Sequence, residues 1–586
     1  MKFVLIGLIP FALCAQDINP QPYIGDVRYL ASPEMKGRAS GSPELEKAGR
    51  YIAAQFKSFG LKPADGKDFE QAFPVTVGAH LGSDNRFSDQ DAYTAVDSEY
   101  RPLSFSKNGS IKAPVVFAGY GITDKQKNYD DYAGIDVKDK IVLILRHEPK
   151  ETGHLSSRAA FAEKAVNAKM HGAAGVLVVN DVFAHDGKDK PLEKFALADG
   201  PANEGILFAQ ISEGLAEALM GGATGRTRLR AVTEDINRDG KPHSFPLNVE
   251  ASMSVDVVRE VKTVHNVAAY LPGRTDEYVV IGAHYDHLGL GGPYSLDPSK
   301  TGTVHPGADD NASGTAGVIE LARWFSKQPK QKRGVLFMTF AGEELGLLGS
   351  EWYVEHPVLP LSNAVAMINM DMIGRIREGK VYLSGTGTGS TFPRLIATVK
   401  PPPPLKMDIS EKTGYGSSDQ TSFNAKQVPV LFFFSGLHAD YHKATDTADK
   451  IDYNDAAKLL DYVADVTLKL ENDALRPKFQ HVAEPRPSAS AGDGAGSGYG
   501  PDFGSVPDFN ETDKGVRFAD IVAGSPASKA GLRAGDILTE FDGKQIANLY
   551  DFTYALRAHK PGDLVLVKVL RDGKPIEAKV LLTERR

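Results

Sequence analysis

Four short, nearly unbroken apolar runs, at 278–283, 335–340, 364–370 and 428–434, each end abruptly in polar residues. Strands that alternate apolar and polar residues have one wet face, so unbroken runs predict strands buried on both faces, as in a parallel sheet. Between the first two runs Val318, Leu321, Ala322 and Phe325 recur at helical spacing. The fold class that follows is α/β, a mainly parallel mixed sheet sandwiched by helices, with chemistry gathered beyond the C-terminal ends of the strands. Val27, Leu30, Ala48, Tyr51, Ile52 and Phe56 predict helices ahead of it, stopped at Gly60. A separate unit over 111–249 carries strands at 114–121, 140–145 and 175–179 and a helix at 160–171. Pro477, Pro485, Pro487 and a Ser/Ala/Gly run mark a linker over 476–497, and 498–586 reads as a small β-rich unit. The core is then split between 16–110 and 250–475.

Composition adds a location and excludes a partner. Lys2, the apolar stretch 3–13 and the polar switch after Ala15 predict a secretory leader at 1–15, whose apolar core is too short to span a bilayer. The single cysteine, Cys14, lies inside it, so the mature chain is expected without disulfides, secreted or periplasmic, and free of the membrane. A formal net charge of -8 gives no support to nucleic-acid binding, which shows as a basic patch.

The chemistry starts at Pro306-Gly307-Ala308-Asp309-Asp310-Asn311-Ala312-Ser313-Gly314. Adjacent carboxylates at a glycine turn read either as a solvated acidic turn or as a metal bridge. One carboxylate can hold a cation on each oxygen, about 3.5–4 Å apart. His284, Glu344, Asp371 and His442 each follow a predicted strand, and with Asp309 as the bridge they make a donor set suited to two Zn2+ ions per chain. Asp286 is placed to fix the tautomer of His284, and Glu343 to act as general base toward a water shared by the ions.

With "HYDH", "PGADDNASG", "FAGEELGLLGS", "NMDMIG" and "DYHKATDTADKID" in this order, the core resembles the di-zinc aminopeptidases, relatives of glutamate carboxypeptidase, the transferrin receptor ectodomain and glutaminyl cyclase. The resemblance implies that His284 and Asp371 hold one zinc, that Glu344 and His442 hold the other, and that Asp309 bridges them. It also implies a peptide substrate with a free N-terminus and a role for Tyr415 at the tetrahedral intermediate. Glutaminyl cyclisation, carboxypeptidase action and a non-enzymatic receptor role are the alternatives on this fold. "VVFAGYGI" and "KAVNAKMHGAAGVLVVND" resemble the protease-associated (PA) domain, an insertion that shapes a peptidase cleft. "GSPASKAGLRAGDILTEFDGKQI" resembles a PDZ domain, in which the loop with Gly500, Phe503 and Gly504 would receive a peptide C-terminus.

Overall fold

The computed structural model describes residues 17–583, apart from 90–91, 94–95, 97, 125–128, 150–159, 182–191, 196–202, 222–227, 293, 415, 417, 481, 483–500, 508–514, 522–523, 547–551, 553–554, 557–558, 560 and 572. The expected leader, Tyr415, Gly500 and most of the linker lie outside the described residues. Among those described, no helix is long and apolar enough to cross a membrane.

Two helices open the core, α1 (Pro20–Leu30) and α2 (Pro43–Ser58). Each starts where a short polar side chain takes an orphan backbone N–H: Asn19 accepts from Gln21 and Ser42 from Leu45. Strand β1 (Glu70–Leu81) leads away from the core, and β2 (Val257–Leu271) returns antiparallel to it. Then follow β3 (Tyr278–His284), α3 (Gly314–Phe325), β4 (Gly334–Phe340), β5 (Ala364–Asp371), β6 (Lys380–Ser384), β7 (Val430–Phe434) and α4 (Tyr453–Asn472).

The main sheet runs β2-β4-β3-β5-β7-β6. Its central four strands are parallel and β2 and β6 antiparallel, as the apolar runs predict. Every residue of β3, β4 and β5 is buried, which is why their sequences do not alternate. From β3 the chain moves to β4 on one side and then to β5 on the other. The loops leaving β3 and its neighbours therefore part and open a crevice at their C-terminal ends.

The sheet of the second unit also takes in strands ahead of residue 111. Arg86–Asp89 and Tyr100–Pro102 pair into the same eight-stranded sheet as Gly109–Phe117 and Phe245–Val255. Polar residues between these short strands hid them from a pattern argument. The linker likewise starts later than 476. Arg476 donates to the carbonyls of Ser362 and Ala364 and pairs with Glu277 at 3.2 Å, and Gln480 N–H donates to Thr388. In the C-terminal unit Phe503 sits in the core, with ring centroids 5.2–5.9 Å from Phe552, Phe541 and Phe518.

Beneath the crevice, Glu320 of α3 and Asp26 of α1 are buried side by side, with Tyr51 donating to Asp26 and Arg323 pairing with Glu320 at 3.0 Å. Burial, offset in part by Arg323 and reinforced by Asp26, pushes the Glu320 carboxyl from 4.5 up to about 8. The folded state holds this proton more tightly than the unfolded chain, so its contribution to stability is complete below about pH 4.5 and is lost as pH rises through about 8. Glu320→Gln removes this titration. We expect the drop in unfolding temperature between pH 5 and pH 8.5 to be smaller in the variant than in the wild type, as read by thermal melts at both pH values.

Candidate metal centre

The turn between β3 and α3 is held from several sides. Gly307 takes φ +57, and a Cβ there would stand 2.2 Å from the Asp310 carbonyl and 2.5 Å from the His287 ring, so only glycine fits. Buried Arg38 donates to the carbonyls of Tyr285 (2.9 Å), Pro306 (2.8 Å) and Gly307 (3.0 Å), joining the end of β3 to the turn. Asp446 accepts the backbone N–H groups of Asp309 and Asp310. Asn311 accepts from Gly314 and Met372 and donates to the Met370 carbonyl, fastening the turn to the end of β5.

The carboxylate at the centre of the crevice is that of Asp310. One oxygen lies 3.4 Å from His284 Nε2 and the other 3.2 Å from His442 Nε2. Asp371 Oδ1 is 3.4 Å from the same His284 nitrogen, and Glu344 Oε2 is 3.2 Å from His442 Nε2. His284, Asp310 and Asp371 thus form one group, and Glu344 and Asp310, both facing His442, a second. Asp310 Oδ2 and Asp371 Oδ1 are buried with no hydrogen bond among the described residues. Imidazole nitrogens and bare buried carboxylate oxygens are the donors a divalent cation such as zinc takes, so the residues fit the expected metal.

Two sequence expectations change. Asp309 does not bridge: its carboxylate turns away, accepting from Gly374 N–H at 2.7 Å and lying 3.1 Å from His438 Nε2. The backbone leaves helical angles at Asp310, with φ -104 and ψ 96, so the neighbouring carboxylates point to different sides of the turn. Asp286 serves His284 differently from what was expected. The nearest acceptor to His284 Nδ1 is the Asp286 carbonyl at 3.3 Å, with the carboxylate at 3.7 Å. That carboxylate instead accepts from Ser40 and from the Glu343 N–H. Glu343 itself reaches the crevice, with Oε2 3.8 Å from His284 Nε2. His287, three residues after His284, lies beside the second group, close to Asp310 and Glu344, and sequence reasoning missed it; "HYDH" was the available signal. In the C-terminal unit the buried Phe503 side chain leaves only its backbone for a ligand.

Electrostatics separate the two adjacent glutamates. Burial, together with Glu344, Asp371 and Asp419, pushes Glu343 well above the usual carboxylate range despite His284. Burial acts on Glu344 too, but His442 and His287 outweigh it and bring the carboxyl down to about 2. Burial opposes charge on His284, yet Glu343, Asp371, Asp286 and Asp310 hold its imidazole well above the ordinary value. A pair whose proton affinities are pushed apart in this way suits Glu344 to ligation and Glu343 to proton transfer.

Residues 266–467, which carry these donors, match the model of peptidase family M28. The central segment resembles that family. Residues 111–219 match the PA domain and 507–582 the PDZ domain. A probable leucine aminopeptidase of Arthroderma otae is 30% identical over 207 residues, which make up 34% of this chain and 54% of that protein. An aminopeptidase of Pseudomonas aeruginosa is 27% identical over 402 residues, 66% of this chain and 63% of that protein. The solved aminopeptidase from Aneurinibacillus sp. strain AM-1 is 23% identical with a TM-score of 0.46, over 81% of this chain and 98% of that one. The chain spans about half the length of the curated leucine aminopeptidases it matches. All the donors of the M28 segment lie within the matched range.

The two carboxylates of the turn predict opposite outcomes. Asp310→Asn should weaken metal uptake by more than the about 10–100-fold that loss of a ligand's hydrogen-bond partner costs, whereas Asp309→Asn should stay within that range. Metal titration followed by calorimetry separates them.

Proposed function

We propose that the protein is a zinc-dependent aminopeptidase that removes the N-terminal residue of peptides, using two ions held on the Asp310 carboxylate. The observation that carries this reading is the pair of imidazoles on that carboxylate, His284 at one oxygen and His442 at the other. His284 and Asp371 would hold one ion and Glu344 and His442 the other. Bound there, zinc supplies Lewis-acid polarisation of the scissile carbonyl and lowers the pKa of water toward neutrality. The remaining work falls to the side chains. Glu343, whose burial makes it a willing proton acceptor, takes a proton from the attacking water at Oε2 and delivers it to the leaving amine. The buried carboxylates around Asp310 give a positively charged substrate N-terminus a place to dock and repel a substrate carboxylate. Named relatives of the M28 segment are aminopeptidases, which supports this over cyclisation or carboxypeptidase action.

Glu343→Gln should keep both zinc ions and lower kcat by about 10²–10⁴-fold. Metal analysis beside hydrolysis of aminoacyl and N-acetylated peptides checks both halves. Cleavage of blocked peptides as fast as free ones, or zinc loss in the variant, would overturn the assignment.

We assign to the C-terminal PDZ domain the capture of a substrate's C-terminus. It hangs on a tether of about twenty residues, with an r.m.s. reach of roughly 20–30 Å for flexible composition. Tethering raises the local concentration of a captured peptide without touching the ions. Truncation after residue 482, which spares the docked segment through Gln480, should raise KM for long peptides and leave a short aminoacyl substrate unchanged. Faster turnover of the short substrate would point instead to a lid.

A further inference from the structure

His287 is buried beside the second group of donors, yet none of the roles above uses it. Its ring lies against Gly307, where a Cβ would come within 2.5 Å of the ring, and stands edge-on to His442 with centroids 5.8 Å apart at 75°. Nδ1 is 2.7 Å from Glu344 Oε1 and 3.8 Å from Asp310 Oδ2. Nε2 is buried with no hydrogen bond among the described residues.

The two oxygens of Glu344 therefore have different neighbours: Oε1 faces His287, and Oε2 faces His442 Nε2 at 3.2 Å. An ionised carboxylate only accepts hydrogen bonds, so the proton at this contact belongs to His287 Nδ1. Nε2 has no partner among the described residues, so the geometry puts the ring's one hydrogen bond at Nδ1. Held through Oε1, Glu344 has Oε2 free for an ion and cannot swing to offer both oxygens to it.

We propose that His287 is the positioning residue of the second metal site, fixing Glu344 as a one-oxygen ligand through the Nδ1–H bond to Oε1. The five-ligand set implied by resemblance leaves Glu344 without such a partner, whereas ligating carboxylates are commonly steadied in this way. His287 is not itself a ligand, because its Nδ1 is engaged at hydrogen-bond distance by the ligand's outer oxygen. The inference rests on the two-ion reading above.

Its test uses the full chain and two substitutions. His287→Phe keeps ring volume over Gly307 but deletes the N–H, and His287→Asn restores a donor near the position of Nδ1. Stepwise zinc titration by calorimetry should show the weaker-held ion of His287→Phe losing about 10–100-fold in affinity, with the other ion unaffected and most of the loss recovered in His287→Asn. In the zinc-loaded wild type, ¹⁵N NMR of labelled histidine, assigned through the Asn variant, should give a protonated Nδ1 and a bare Nε2. Wild-type titration in His287→Phe, or a metal-shifted Nδ1 resonance, overturns the proposal. If the Phe variant does not fold, the Asn titration and the wild-type tautomer decide the question. A wild-type chain that takes up fewer than two ions would instead fail the two-ion reading itself.

Discussion

The arrangement depends on one costly fact: Asp286, Asp310, Glu343, Glu344, Asp371 and Asp419 are packed around His284 and His442 with almost no access to water. Like charges gathered away from solvent repel, and their desolvation is not repaid by the imidazoles alone. Glu343, Asp371 and Asp419 accordingly hold their protons above the usual carboxylate range, Asp419 up to about 7, while Glu344 and Asp310 beside the histidines stay ionised. Cations between these groups would relieve the repulsion, so in this fold metal binding and local stability are one property.

Such a cluster survives only on a rigid frame. The Gly307 turn is tied by Arg38 to the end of β3, by Asn311 to the end of β5 and by Asp446 to the segment just beyond His442. Each tie uses a buried polar group whose partners are mostly backbone, which leaves the donors' own side chains free for ions. Asp309 belongs to this frame rather than to the donor set. A carboxylate that accepts from Gly374 and faces His438 braces the segment that follows Asp371 and the loop that carries His442. The same economy explains why Asp286 is spent on Ser40 and the Glu343 N–H, where it holds the Glu343 backbone rather than the imidazole.

The appended units join the core through defined segments of chain. Strands β1 and β2 form an antiparallel ribbon from the main sheet toward the PA sheet, and the chain after α4 is pinned to the core as far as Gln480.

Sequence by itself determined the sheet, because β3, β4 and β5 are buried on both faces and their apolar runs carry that fact without reference to partners. It also determined His284, Glu343, Glu344, Asp371 and His442 as residues of the crevice, since each follows a strand end and a parallel sheet collects those ends on one side. Tertiary structure alone decided between Asp309 and Asp310. Their order and chemistry are equivalent in one dimension, and only the non-helical backbone at Asp310, together with Gly374 and His438 drawing Asp309 away, sends one carboxylate to the centre. The parts of Arg38, His287 and Asp446 were hidden for the same reason: their partners at Gly307, Glu344 and Asp310 lie far along the chain or across the crevice. Hydrogen bonds between such distant positions leave no periodicity to read.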